Sequence, residues 1–392
     1  MEMTKQRLSR IVSREYFFLL VIILATLAIH FAVITLPPEQ MFDEQHYVPD
    51  ALSISQGNGT NRGEHPPLGK LLITANIMIF QDMSNPISWR LFSVLFGTIS
   101  IFLFYLICRR LNLTRMTASL AAFLFAFENL TFVQASIAML DVFSLTFMLL
   151  CFWLYLRGNY ALSGLGGALA ALAKLTGVLA IGVIVLHWIF VRRSRPVYFI
   201  AGLIISAAAF VVLLMAFNYP IYNQWINPLE NIQIMFSRMS SLTFDNAGHP
   251  AMIRPWEWLY LPMVMAYWLK PHYEGAISFN IWALIIPSMA YMIWRVWRRK
   301  DFNAPVFALS WFAATYLIWI PLVLISNRVT YIYYFYPAVG AVCLAIAIGL
   351  SRIWGLRYTI KGKARHAATW SVIGFLVLHL VIFGILGPFY SW

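Results

Sequence analysis

Apolar residues along this chain come in long runs separated by short polar clusters, without the strict alternation of strands or the narrow stripe of surface helices. Runs of spanning length cover 16–36, 87–108, 116–134, 142–156, 197–217, 277–297, 304–326, 331–351 and 369–390. The stretch 160–191 is too long for one crossing and short for two, and it is interrupted at Lys174-Leu175-Thr176-Gly177. Arg157 precedes it and Arg192, Arg193 and Arg195 follow it, which puts both of its ends on the basic, inner side. The chain must then go out and return, with Lys174 at the outer turn. The pattern predicts an all-α polytopic membrane protein of eleven transmembrane helices, one domain over 1–392, with the N-terminus cytoplasmic and the C-terminus extracytoplasmic.

Composition agrees with lipid as the main solvent: 61% of the 392 residues are hydrophobic and only 11% are charged. Cys108, Cys151 and Cys343 all fall inside apolar runs and read as small hydrophobes. The net charge of +13 does not call for nucleic acid, because the cations are not gathered on one soluble face. They sit in clusters at 5–14, 109–115, 157, 192–195, 295–300 and 352–365, which hold 20 of the 28 Lys and Arg residues and all fall on one side of the drawn topology. Of the 15 acids, only Glu2, Glu15 and Asp301 share that side. Acids hardly influence orientation, so their gathering on the outer side asks for a functional cause.

The two longest outward segments are 37–86 and 218–276. The second carries Trp256, Trp258, Tyr260, Tyr267 and Trp268, read as an aromatic belt on an interfacial or re-entrant element. The first carries Asp43-Glu44 just beyond the first helix, then His46, Glu64 and His65-Pro66-Pro67-Leu68-Gly69-Lys70. Two carboxylates at headgroup level are well placed to meet a lipid-borne substrate, and adjacent side chains point apart, so the pair divides its roles. Glu128-Asn129 and Asp141 bracket the next outward turn, and Arg90, Lys174 and Arg328 lie on the same side. Charges near a membrane are costly enough to mark function, and opposite charges on one face point to an anionic substrate with a carboxylate base.

The order Phe42-Asp43-Glu44, His65-Pro66-Pro67-Leu68-Gly69-Lys70, Trp89-Arg90-Leu91-Phe92-Ser93, Glu128-Asn129, Leu140-Asp141 and Lys174-Leu175-Thr176-Gly177 resembles the protein O-mannosyltransferase family. The resemblance continues more loosely through His249-Pro250, Trp256-Glu257-Trp258, Arg328 and Tyr331-Tyr333-Tyr334. It implies a GT-C glycosyltransferase fold, a polyprenyl (dolichyl) phosphate mannose donor and secreted or membrane proteins as acceptors, met at the outer face of a cell membrane. Segment 218–276 is too short for the large lumenal insert of eukaryotic members, which implies a prokaryotic, plasma-membrane enzyme. Pairing with itself or with a relative is left open.

Within that resemblance Asp43, Glu44 and Asp141 are the catalytic candidates, with Asp43 the base for a Ser or Thr hydroxyl. Arg90, Lys174 and Arg328 are the candidates for the donor phosphate. His65, Pro66, Lys70 and Glu128 are expected to shape the loop and position substrate, with the prolines excluding helix until Lys70. Asp43 and His65 also offer oxygen and nitrogen to a divalent metal, although no known ligand spacing is met. Two alternatives stand beside this reading: a transferase that modifies a lipid or glycan, like the aminoarabinose transferases, and a transporter or flippase.

Overall fold

The computed structural model describes residues 2–191, 195–299 and 302–390, and for 2–14, 239 and 240 the backbone alone. Arg192, Arg193, Lys300 and Asp301 thus lie outside the described residues, as do the side chains of Glu2, Lys5, Arg7, Arg10 and Arg14.

Helix α1 (Glu2–Val33) leads into the first long connecting segment, which folds into α2 (Glu44–Ser55) and α3 (Pro67–Phe80) before α4 (Ile87–Arg110). Next come α5 (Arg115–Ala126) and α6 (Asn129–Ser136), one apolar run bent by 60°. Helices α7 (Leu140–Leu156), α8 (Tyr160–Ala173), α9 (Leu179–Val191) and α10 (Pro196–Tyr222) follow, with a 3-10 turn, Leu175–Val178, between α8 and α9. The second long segment holds α11 (Pro228–Ser240) and a small antiparallel hairpin of β1 (Met265–Trp268) and β2 (Tyr273–Gly275). The last third consists of α12 (Phe279–Ala283), α13 (Ile285–Trp297), α14 (Asn303–Phe312), α15 (Trp319–Ser326), α16 (Tyr336–Leu356) and α17 (Gly362–Leu386). A π-helical turn, Ala313–Leu317, lies between α14 and α15.

Helices occupy each of the predicted apolar runs. Among the described residues, six are long and apolar enough to cross a membrane alone, or seven when the bent α5–α6 pair counts as one span. Of the remaining runs, those at 116–134, 160–191 and 277–297 are broken at Glu128, Lys174 and Leu284, and α7 is one uninterrupted helix of 17 residues. Helix α7 is apolar on every side and buried along most of its length, as an inner helix of a bundle must be. Its neighbour α8 approaches α10 through Gly164 and Gly202: a Cβ on Gly164 would stand 2.1 Å from the Gly202 carbonyl oxygen. Without a hydrophobic drive between lipid-embedded helices, such close backbone packing supplies the attraction.

Two expectations need correction. Pro66 and Pro67 do not delay the helix to Lys70; Pro66 is the N-cap of α3 and Pro67 its first residue. A proline there gives up an N–H that had no partner in the helix, and its fixed φ suits the first turn. Nor do the second segment's aromatics all form a belt, since Trp258 is fully buried and Tyr267 nearly so. Trp258 packs on Tyr316 and Phe335, where burial of an indole outweighs an interfacial seat.

Candidate functional site

Asp43 is the N-cap of α2, and the residue before it, Phe42, holds a left-handed backbone with φ 49°. A non-glycine residue there is strained and persists only where its surroundings fix it. The fixing is visible: the Phe42 ring stacks on Tyr267 of β1 at 4.0 Å and meets Tyr333 edge-on at 5.7 Å. One turn into α2, the Tyr47 hydroxyl hydrogen-bonds the Asp43 carboxylate and lies 3.2 Å from Nε2 of His65. Burial raises the Asp43 carboxyl to about 6 despite the opposing pull of Lys174. Burial also pushes His65 well below its usual value, with Lys174, Lys70, Arg62 and Arg328 adding to the effect. His65 is therefore neutral, a single-proton imidazole paired with the Tyr47 hydroxyl.

Facing this relay, Asp141 in the first turn of α7 accepts from Lys174 Nζ through both carboxylate oxygens, each at 2.7 Å. The ammonium also sits 5.4 Å from the ring centre of Tyr333 and 5.9 Å from that of Tyr334. The turn that carries Lys174 meets the first loop because of Gly69. A Cβ there would fall 2.5 Å from the Ala173 carbonyl oxygen and 2.9 Å from Leu140, the residues just before Lys174 and Asp141. Arg328 reaches the same side through an isolated antiparallel bridge with Thr243, and its charge is felt at His65. Asp43, His65, Asp141, Lys174 and Arg328 thus share one electrostatic neighbourhood.

A model of the dolichyl-phosphate-mannose-protein mannosyltransferase family matches residues 20–243, more than half of the chain. The chain belongs to that family. A polyprenol-phosphate-mannose–protein mannosyltransferase of Corynebacterium glutamicum is 22% identical over 448 residues, spanning 89% of this chain and 84% of its own length. A Mycolicibacterium smegmatis protein of the same description is 32% identical over 118 residues, 29% of this chain. Among solved structures, the S. cerevisiae protein O-mannosyltransferase Pmt1-Pmt2 complex bound to its sugar donor superposes with TM-score 0.78 at 13% identity, covering 96% of this chain and 90% of its own. ArnT from Cupriavidus metallidurans gives TM-score 0.59 at 16% identity over 93% of this chain and 71% of its own. At such identities the likeness establishes the fold, GT-C, and no more. Membership of an enzyme family sets aside the transporter reading.

Within this mannosyltransferase fold, four of the predicted site residues make internal contacts. Arg90 is fully buried, and all five of its N–H donors are used: two on the Glu44 carboxylate, at 2.9 and 2.7 Å, and three on the carbonyls of Ile34, Pro37 and Glu39. It has no donor left for a phosphate. Glu44, likewise buried, also accepts from the Met41 and Ala138 backbone N–H groups, so it and Arg90 tie the first loop to α1 and to the residues just before α7. Glu128 caps α6 through the Thr131 N–H at 2.7 Å and accepts from the Ser278 N–H at 2.9 Å, while Asn129 donates to Glu274 and Ala276. Lys70 donates to the Thr60 hydroxyl and the Arg62 carbonyl, and Thr60 in turn donates to Asp50, which keeps the loop before His65 folded.

The residues that sequence reading missed are Tyr47 and the Phe42–Tyr267 stack. Tyr47 had a legible signal, lying four places after Asp43 on one helix face. Tyr267 is 225 positions from Phe42 in the chain, and no local pattern joins them. Among the described residues no three carboxylate, imidazole or thiol groups converge on a metal-holding point; Asp43 and His65 are joined through the Tyr47 hydroxyl instead.

Proposed function

We infer that this protein transfers mannose from a polyprenyl (dolichyl) phosphate to Ser or Thr hydroxyls of proteins at the outer face of the cell membrane. The observation that carries the reading is the pairing of a carboxylate held at about 6, Asp43, with a cation braced by an acid, Lys174 on Asp141, beside an apolar groove. That groove, 440 Å³, is lined by Val178, Leu179 and Gly182 on one side and by Ala314, Leu317 and Pro321 on the other. It begins four residues beyond Lys174, so an isoprenoid tail along it brings its phosphate to the Lys174 ammonium. The π turn before α15 supplies Ala313, Ala314 and Leu317 to the far side of the groove, and such turns are often found at functional sites.

In the reaction, the acceptor oxygen forms a bond to the anomeric carbon as the bond from that carbon to the phosphate oxygen breaks, and the electron pair leaves with the phosphate. The hydroxyl proton goes to the Asp43 carboxylate. Attack from the face opposite the leaving group inverts the anomeric centre. Lys174, with one N–H not engaged by Asp141, and Arg328 meet the growing charge on the leaving phosphate. Asp141 acts by aiming Lys174, and Tyr47 by aiming Asp43. The catalytic segment 37–86 and the second outward segment 218–276 are two walls of this one site within a single transmembrane domain.

The test is transfer of labelled mannose from mannosyl-phosphoryl-polyprenol to a Ser/Thr-containing peptide by membranes holding the protein. Asp43→Asn should abolish transfer at unchanged expression, and full activity in that variant would remove Asp43 from the mechanism. Products found on lipid or glycan alone would favour the lipid-modifying reading instead.

A further inference from the structure

A second cavity, of 790 Å³, opens at the ends of α7 and α8 opposite to Asp141 and Lys174. Helix α7 has 17 residues, so the cavity lies about 25 Å from the candidate site and belongs to the other face of the membrane. Its lip carries Arg157 and Arg195 with Asn159, and its floor is apolar, with Leu154, Leu162 and Ile205. Arg157 lies over the Trp153 ring at 4.7 Å, a cation–π contact that seats its guanidinium at the lip. Among the described residues neither arginine has a carboxylate partner, and no acid lines the cavity. The one described acid known to pair with cations on this side, Glu15, is taken by Arg109 and Arg115. Beyond the floor, α10 exposes Val212 seven residues on from Ile205 and so on the same helix face, an apolar track leading away from the lip.

Two unpaired guanidinium groups over an apolar floor fit a molecule that is anionic at one end and a hydrocarbon at the other. We propose that this cavity binds an anionic phospholipid of the inner leaflet, its phosphodiester on Arg157 and Arg195 and one acyl chain along α10. A soluble anion would satisfy the arginines and leave the floor bare; a neutral lipid would fill the floor and leave the arginines unpaired. Basic pockets between transmembrane helices hold anionic headgroups for the same reason.

The experiment uses the whole purified protein in neutral detergent, with phosphatidylglycerol, phosphatidylcholine and inorganic phosphate as probes, bound lipid being counted by native mass spectrometry. Phosphatidylglycerol should bind at least ten-fold more tightly than phosphatidylcholine, and millimolar inorganic phosphate should not displace it. The double variant Arg157→Gln/Arg195→Gln should lose that preference, whereas Arg157→Lys should keep most of it. Equal binding of the two lipids by the unaltered protein would overturn the proposal whatever the variants do. So would undiminished preference in the double variant, and efficient displacement by phosphate would reduce the cavity to a simple oxyanion site.

Discussion

Replacing Arg90 by leucine separates a brace from a phosphate ligand. In the intact protein the Glu44 carboxylate is wholly buried and receives two N–H groups from Arg90 and one each from Met41 and Ala138. Without Arg90, the carboxylate keeps only the two backbone donors, and the carbonyls of Ile34, Pro37 and Glu39 lose the partner that gathered them. Removing one member of a buried ion pair costs about 3–5 kcal/mol, because the charge left behind has neither water nor a partner. Arg90→Lys should recover only part of this, since an ammonium offers three donors where the guanidinium uses five in a planar fork. The assay is thermal unfolding of the purified protein in detergent, with donor-lipid binding measured on the fraction that stays folded. The reasoning expects a midpoint lowered by several degrees and near-normal donor binding in the surviving fold. An unchanged midpoint with donor binding lost would refute it and return Arg90 to the phosphate.

Transfer should fall as pH drops through about 6, where Asp43 takes up its proton and can no longer serve as base. Because Tyr47 stabilises the ionised carboxylate, Tyr47→Phe should move that acidic limb to higher pH, and an unmoved limb would detach Tyr47 from Asp43. The same carboxyl binds its proton more tightly folded than unfolded, so its support for the fold is full below about 4 and lost as pH rises through about 6; Asp43→Asn should melt no lower than the parent at pH 8. Gly69→Ala drives a methyl against the Ala173 carbonyl, which overpacks the contact by about 1–3 kcal/mol. Its initial rates should show lost turnover along with the lowered melting point, because the Lys174 turn is pushed away from the loop. Lys174→Met should raise KM for the donor lipid more than for the peptide; equal effects on both would argue against phosphate contact.

The apolar runs of this chain announced its helices plainly, because a lipid-facing or buried helix has to be apolar over its whole length. The acids and cations of the site were legible for the complementary reason that charge so near lipid is rare. What the sequence could not say was which charge served which purpose. Glu44 and Asp43 are neighbours of the same type, yet one faces Arg90 in the interior and the other faces the site, a choice made by the left-handed turn at Phe42. That turn is held by Tyr267, which joins it only in the folded chain. Pro67 was misread because a proline signals both the end of one helix and the start of the next, and only the following residues decide.

The contact between Glu128 and Ser278 also bears on the order in which the protein can be made. Glu128 is threaded into the bilayer region with the first few helices, yet the N–H that completes its shell is synthesised 150 residues later. Until Ser278 arrives, the nascent chain carries a buried carboxylate short of one partner, and Asn129 waits for Glu274 and Ala276 in the same way. The stretch that matches the family model ends at residue 243, so that stretch expressed alone lacks this closure. A ribosome-bound chain should become resistant to protease at the α5–α6 bend only once the hairpin has emerged, which makes the last third of the protein the latch on the first.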